Sequence, residues 1–332
     1  MKKLGIFFTT RNNYVMLEDW LKTVDYEGFE ILNIDEDSTD EQKIFGKKIC
    51  EQYNVKYIDR EKRGFINNVA TAHKYFKSLD IHWGFWLHHD CYPLTDKFFD
   101  KFNKIILSEK IEKFGMVGFN TYHKRIHVSR YKNGVRGEKE FLGRAPLEPG
   151  DNWYRNKQTW GNTRPNLESF KWDKPFAVEI PAAFGVAFNL KLYDEVIELT
   201  DDYHMMNSLD EVGFQFLYNN IYNISIPYLY LAHEDEKKAE FDLPVVSSKH
   251  HKANPKGKDY NSEHFNHDDK FFGKWGLSVL YKRWGIDYDN ARETFNLIKD
   301  NYKGTLLWDF YHHDPIDGPL KSFPDIEYEE DK

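Results

Sequence analysis

Cysteine is scarce in this 332-residue chain, where Cys50 and Cys91 are the only two. They are too few for a disulfide framework and too isolated for a structural zinc site, so a reducing compartment fits. No stretch approaches the roughly 18 consecutive apolar residues that a membrane-spanning helix needs. Met1-Lys2-Lys3 leads into a short apolar stretch at residues 4–8 rather than the core of a secretory signal, and a cytoplasmic protein without a membrane span is expected. Positive charge is not in excess either. Lys and Arg number 46 against 54 Asp and Glu, and the net charge of −8 disfavours a protein that grips nucleic acid over its whole surface. No internal repeat of about 20 to 50 residues is found, which argues against solenoids and propellers.

Aromatic residues are abundant: 26 Phe, 21 Tyr and 9 Trp make up 17% of the chain, within a hydrophobic total of 40%. Such a chain folds around a sizeable core even with 30% charged residues. Its length exceeds twice that of a modal domain, so one large domain, or one with an elaborated end, is expected. Short apolar runs at 4–9, 30–34, 55–58, 83–87 and 116–119 alternate with segments at 14–23, 41–53 and 64–79 whose apolar positions suit helices. A further helix is expected from about residue 95. Trp83-Gly84-Phe85-Trp86-Leu87 is uninterrupted by polar residues, the pattern of a strand covered on both faces. This alternation predicts βαβ units and a mostly parallel sheet, with ligands at the carboxyl ends of its strands. Residues 123–178 lose periodicity and are expected to form a long functional insertion. Regular patterns return at 184–188, 192–199, 209–222 and 226–231. Beyond 234, patterns at 275–284, 290–302 and 306–311 predict a helical extension, ending in an acidic tail.

Four places after or between these elements carry chemistry. His88-His89-Asp90 follows the most apolar strand. A hard cation seeks a carboxylate on a short, rigid loop, and imidazole can complete a manganese shell, which makes Asp90 the leading metal candidate. The plainer alternative is a turn cap before Pro93. Asp35-Glu36-Asp37-Ser38-Thr39-Asp40 can accept hydrogen bonds from a base or ribose, or simply cap the next helix. Asp210-Glu211 opens an amphipathic helix and provides either a rigidly mounted base or ordinary first-turn acids. His233 follows an apolar strand and would reach the metal of Asp90 if the two strand ends are neighbours; otherwise it is an ordinary histidine.

In this order and placement the chain, over about residues 4–235, resembles the family 2 glycosyltransferases with the GT-A fold. Ile34-Asp35-Glu36-Asp37-Ser38-Thr39-Asp40 resembles the family's Val-Asp-Asp-Gly-Ser-Thr-Asp nucleotide loop, and Arg63-Gly64-Phe65-Ile66-Asn67-Asn68 its Gly/Asn-containing segment. Leu87-His88-His89-Asp90 falls on the Asp-x-Asp motif, Phe184-Gly185 on the acceptor-side glycine, and Asp210-Glu211 on the acidic pair whose second member is the usual base. The resemblance implies an α/β GT-A fold over 1–235, with a nucleotide-sugar half at 1–122, an acceptor half at 123–235, and a helical extension at 236–332 packed on it. It further implies a nucleotide-diphosphate sugar donor, a UDP-sugar first, and Mn²⁺ or Mg²⁺ held by Asp90 and His233. Thr9, Arg11, Asp35, Glu36, Arg63, His88 and His89 would line the donor pocket, Arg63 toward phosphate. Glu211 or Asp210 would deprotonate an acceptor hydroxyl, with inversion. The departures are His88 for the first Asp of Asp-x-Asp, where imidazole serves ribose or metal, Glu36 for the base-contacting Asp, Asp37 for a glycine, and Glu211 for the catalytic Asp.

Lys124, Arg125, Arg130, Arg136, Arg144, Arg155 and Arg164, interleaved with Trp153, Tyr154 and Trp160, suit two acceptors. Aromatic faces stack on sugars or bases, while cations meet phosphate. A surface glycan is favoured over a modified base in phage DNA because of the net charge, and a basic run at 249–258 adds to either surface. The rivals are a non-catalytic sugar- or nucleotide-binding protein on a degenerate transferase scaffold, and a nucleotidyltransferase. The latter is disfavoured because Thr9-Thr10-Arg11-Asn12-Asn13 lacks the glycines of a phosphate loop.

Overall fold

The computed structural model describes residues 3–61, 64–122, 140–141, 174–178, 180–181, 184–200, 208–233, 238–239, 241–245, 279, 282–285, 302–312 and 322–326. In chain order the strands are β1 (Leu4–Thr10), β2 (Glu30–Glu36), β3 (Lys56–Arg60), β4 (Trp83–Leu87), β5 (Tyr92–Pro93), β6 (Met116–Tyr122), β7 (Glu140–Phe141), β8 (Phe176–Val178), β9 (Gly185–Asn189) and β10 (Asn223–Ala232). The helices are α1 (Tyr14–Thr23), α2 (Asp40–Gln52), α3 (Phe65–Lys77), α4 (Phe98–Leu107), α5 (Leu190–Val196), α6 (Ser208–Tyr218) and α7 (Leu306–His312). The strands form one sheet in the order β3-β2-β1-β4-β9-β6-β10-β5, with β7 on β6 and β8 on β10. β3, β2, β1 and β4 are mutually parallel, β9 runs against both β4 and β6, and β6 pairs parallel with β10. This is the expected α/β architecture, a central, mostly parallel sheet flanked by helices.

The helices lie on both faces because β1 is apolar on both. Phe7 meets Phe76 of α3 on one side, and Phe8 packs edge-on against Trp20 of α1, at 4.8 Å between ring centroids, on the other. The α3 residues Ile66, Val69, Ala72 and Phe76 recur at helical spacing, and all are buried. After β1 the chain builds β2 and β3 on one side, then crosses to place β4 on the other. The crevice at the carboxyl ends of β1 and β4 is therefore the sheet's switch point, where open α/β sheets bind ligands.

Several element boundaries differ from expectation by two to four residues, two of them for a backbone reason. The helix expected near residue 95 begins at Phe98, because Lys97 before it takes a left-handed conformation, φ +50°. The helix expected to reach 222 ends at Tyr218, since Asn220 turns left-handed (φ +60°) and the following strand begins at Asn223. Of the expected C-terminal helices, 290–302 lies almost wholly outside the described residues, and 275–284 is described only at 279 and 282–284. Trp284, Leu307, Phe323 and Ile326 are nevertheless buried in the same hydrophobic cluster as the sheet. Among the described residues no helix is long and apolar enough to cross a membrane.

Candidate metal centre and nucleotide crevice

A two-residue strand just past Asp90 assembles the centre. Tyr92 and Pro93 pair antiparallel with Ala232 and Leu231, so the chain after β4 and the chain after β10 meet. His233 Nε2 consequently lies 3.3 Å from Asp90 Oδ2, although the residues are far apart in sequence. His88 Nδ1 lies 3.8 Å from Asp90 Oδ1, and one ligand atom from each of His88, Asp90 and His233 falls within 4.8 Å of the others. The loop is held rigid. Cys91 N–H donates to the His88 carbonyl at 2.9 Å, the Trp20 indole donates to the Cys91 carbonyl at 2.9 Å, and His88 N–H donates to the Phe184 carbonyl at 3.1 Å. Phe184 also stacks on the His233 ring at 4.1 Å.

The donor set suits a divalent cation. Burial pushes the His88 imidazole down to about 4, against the pull of Asp90, so at neutral pH its nitrogen is available to a metal. Burial would raise the Asp90 carboxyl, but His233, as charge and hydrogen-bond partner, outweighs it together with His88 and His89 and holds it well below the usual carboxylate range. His88 thus stands together with Asp90 and His233. His89, in the same turn, lies outside the trio.

The loops after β1, β2 and β3 interlock beside this centre. Asn12 N–H donates to Ser38 Oγ at 2.9 Å, and Thr39 N–H donates to Asn12 Oδ1 at 2.8 Å. Asp35 is fully buried, and its carboxylate accepts from Ser38 N–H at 2.9 Å and from the Tyr14 hydroxyl. It shapes the loop. Glu36 stands one residue farther out and accepts from Asn68 Nδ2 at 2.5 Å and Gly64 N–H at 3.2 Å. Burial raises its carboxyl, more than Asn68, Gly64 and Arg60 lower it. Arg11 lies 3.9 Å from Asp37. Thr9 accepts from the Trp86 indole at 3.2 Å, and Trp86 stands edge-on to both Phe65 and His88. One contiguous wall therefore runs from Glu36 through Gly64, Phe65 and Trp86 to the metal candidate. Arg63, expected toward phosphate, lies outside the described residues, as do the cations and aromatics within 123–173 and the run at 249–258.

Asp210 and Glu211 open α6 but face different surroundings. Glu211 is fully buried and accepts from Trp284 Nε1 at 2.6 Å, Gln215 Nε2 at 2.8 Å and Arg283 Nε at 3.0 Å. Arg283 also reaches Glu198 at 3.0 Å. Asp210 is only partly buried. Sequence reasoning missed Arg283 and Trp284, whose partner lies some 70 residues earlier, and a third residue, Lys238. Its ammonium is fully buried and donates to the Asp90 carbonyl at 3.2 Å. Lys238 closes the run Glu234-Asp235-Glu236-Lys237-Lys238, where nothing in the pattern separates a buried lysine from a solvated one.

No family model and no curated protein matches the sequence. Among solved structures the chain is similar to residues 1–349 of TarS from S. aureus, at 12% identity and TM-score 0.41, over 90% of this chain and 82% of that one. It is similar to glucosyl-3-phosphoglycerate synthase from Mycobacterium tuberculosis, solved in complex with Mn²⁺, UDP and glucosyl-3-phosphoglycerate, at 10% identity and TM-score 0.39, over 73% and 75% of the two chains. A cytidylyltransferase from Leptospira borgpetersenii matches at 10% identity and TM-score 0.31, over 64% and 71%.

Proposed function

We propose that this protein is a metal-dependent glycosyltransferase of the GT-A type that moves a sugar from a nucleotide-diphosphate donor, a UDP-sugar first, to an acceptor hydroxyl. The observation that carries this reading is the convergence of His88, Asp90 and His233 at the carboxyl end of the sheet, beside the Glu36–Trp86 wall at its switch point. These three residues would hold Mn²⁺ or Mg²⁺, which when bound offsets charge on the departing diphosphate. Glu36 and Arg11 would meet the nucleoside, and Arg63 the phosphates. Asp210, one residue before the buried Glu211, would take the proton from the acceptor, while Glu211 anchors the helix that mounts it. Inversion follows from the family resemblance. The acceptor in this reading is a surface glycan, since a net charge of −8 opposes a DNA-gripping surface. A steep salt dependence of DNA binding would instead favour a base in DNA.

The test is a thermal-shift panel of UDP-, GDP-, CDP- and TDP-sugars with and without Mn²⁺, on wild type and Asp90→Ala. A ligand that binds only the folded state raises the melting temperature. One nucleotide class should shift the wild type in a Mn²⁺-dependent way and leave Asp90→Ala unmoved. No shift with any donor in the presence of metal would overturn the nucleotide-sugar reading. The sequestration of Glu211 favours one rival, a binding protein on a transferase scaffold; donor binding without turnover across an acceptor panel would support that rival.

A further inference from the structure

Asn68 closes the Gly/Asn-containing segment, yet its side chain has no exposed surface with which to touch a ligand. Both ends of its amide are engaged instead. Arg60, the last residue of β3, donates from Nη1 to Asn68 Oδ1 at 2.5 Å, and Asn68 Nδ2 donates at 2.5 Å to Oε1 of Glu36, the last residue of β2. A guanidinium only donates and a carboxylate only accepts, so a flipped amide would meet two like partners and the relay has one orientation. Arg60 is itself tied down: its carbonyl accepts from Asp37 N–H at 3.0 Å, and Nη1 also lies 3.5 Å from the Gly64 carbonyl. Gly64 N–H donates to Glu36 Oε1 at 3.2 Å, so both described donors end on the same oxygen, and Oε2 of this half-buried side chain stays available as an acceptor. Burial favours the protonated form of Glu36, while the hydrogen bonds from Asn68 and Gly64 and the charge of Arg60 favour the carboxylate. The relay thus supports both the charge of the acceptor and its direction.

Building on the glycosyltransferase reading, we propose that Asn68, backed by Arg60, is a positioning residue for nucleobase discrimination: it holds Glu36 with Oε2 turned to the base, so that the site selects a uracil nucleotide over a cytosine one. One open carboxylate oxygen in a fixed direction reads hydrogen-bond donors. Uracil offers it the N3–H, whereas cytosine carries a lone pair at N3 that would face the carboxylate, and a site built to bond an N–H rejects the analogue lacking it. A hydrogen bond to a charged group corresponds to about 10- to 100-fold in affinity.

The experiment measures by calorimetry, at saturating Mn²⁺, the affinities of UDP, CDP, GDP and TDP for wild type, Asn68→Leu, Glu36→Gln and the double variant, and the affinity of Mn²⁺ alone. Wild type should favour UDP over CDP by about 10- to 100-fold. Asn68→Leu should lose most of that preference while binding Mn²⁺ like the wild type, and adding it to Glu36→Gln should change the preference no further. An asparagine with a merely structural role would weaken UDP and CDP alike and keep their ratio. That result, or a wild type that binds the two equally, would overturn the proposal and leave the transferase reading standing. Failure of the wild type to bind any of the four diphosphates would overturn both. Should Asn68→Leu not fold, a crystal structure of the wild type with Mn²⁺ and UDP decides. Glu36 Oε2 within hydrogen-bond distance of uracil N3, with Asn68 still on Oε1, supports the proposal; uracil away from Glu36, or Asn68 released from it, overturns it.

Discussion

Asp37 takes a left-handed conformation, φ +62°, where the nucleotide loop it resembles has glycine. Aspartate tolerates this region better than most residues, and β-branched residues tolerate it worst. Asp37→Gly is therefore expected to leave stability within about 0.5 kcal/mol of wild type, relief of backbone strain offsetting the extra freedom of the unfolded chain, while Asp37→Val costs about 1–2 kcal/mol. Urea denaturation of both variants checks this, and an equal cost for the two would contradict it. Glu211 and Asp210 divide more sharply. Glu211→Gln leaves Arg283 without its buried counter-charge and should cost about 3 kcal/mol, whereas Asp210→Asn should keep the melting temperature and abolish turnover. A stable Glu211→Gln would mean that the Arg283 contact contributes little in solution. The acidic pair was legible as a pair, but its division of labour depends on Arg283 and Trp284, which no local pattern connects to it.

At the scale of elements, most strands and helices were legible because their periodicity is local, and the fully apolar β4 was bounded correctly at both ends. β5 was not legible. Two residues carry no period, and they become a strand only because β10 offers them partners. That pairing is what brings His233 to Asp90. Two imidazoles with one carboxylate form a softer set than an all-oxygen site, so Mn²⁺ should raise the melting temperature at concentrations where Mg²⁺ does not. Equal shifts from the two ions would argue against imidazole ligation. Packing of the sheet gives a separate test. A Cβ on Gly5 would lie 2.4–2.7 Å from atoms of the Phe76 ring, while one on Gly185 would press mainly on the Leu231 and Leu87 side-chain ends at 2.6 and 3.0 Å. A ring wedged between helix and sheet cannot yield as a leucine terminus can. Gly5→Ala should cost about 2–3 kcal/mol and Gly185→Ala about 1 kcal/mol, read from denaturation midpoints.

For the whole molecule, the described C-terminal residues Trp284, Leu307, Phe323 and Ile326 share the core of the sheet. Trp284 is buried against Phe214 and Tyr218 of α6, Tyr228 donates to the Ile326 carbonyl at 3.0 Å, and Phe323 N–H donates to the Pro175 carbonyl at 2.6 Å. A chain ending at residue 235 would expose this surface and leave Glu211 buried without Arg283 and Trp284. It should therefore lack a cooperative melting transition, as judged by calorimetry and near-ultraviolet circular dichroism. A cooperative transition would instead make 1–235 an independent domain.

Periodicity, composition and loop chemistry were enough to specify an α/β chain with carboxylate-bearing loops at strand ends, because alternating apolar runs have few ways to bury themselves. The same local information located Asp90, the acidic loop after β2 and the acidic pair on α6. Which side chains share a site was settled by long-range pairing. His233 reaches Asp90 through β5 and β10, Lys238 enters the centre from a charged run, and Glu211 turns inward to a distant arginine and tryptophan. Such meetings depend on strand order and on which buried charges can find partners, both properties of the folded chain rather than of any segment of it.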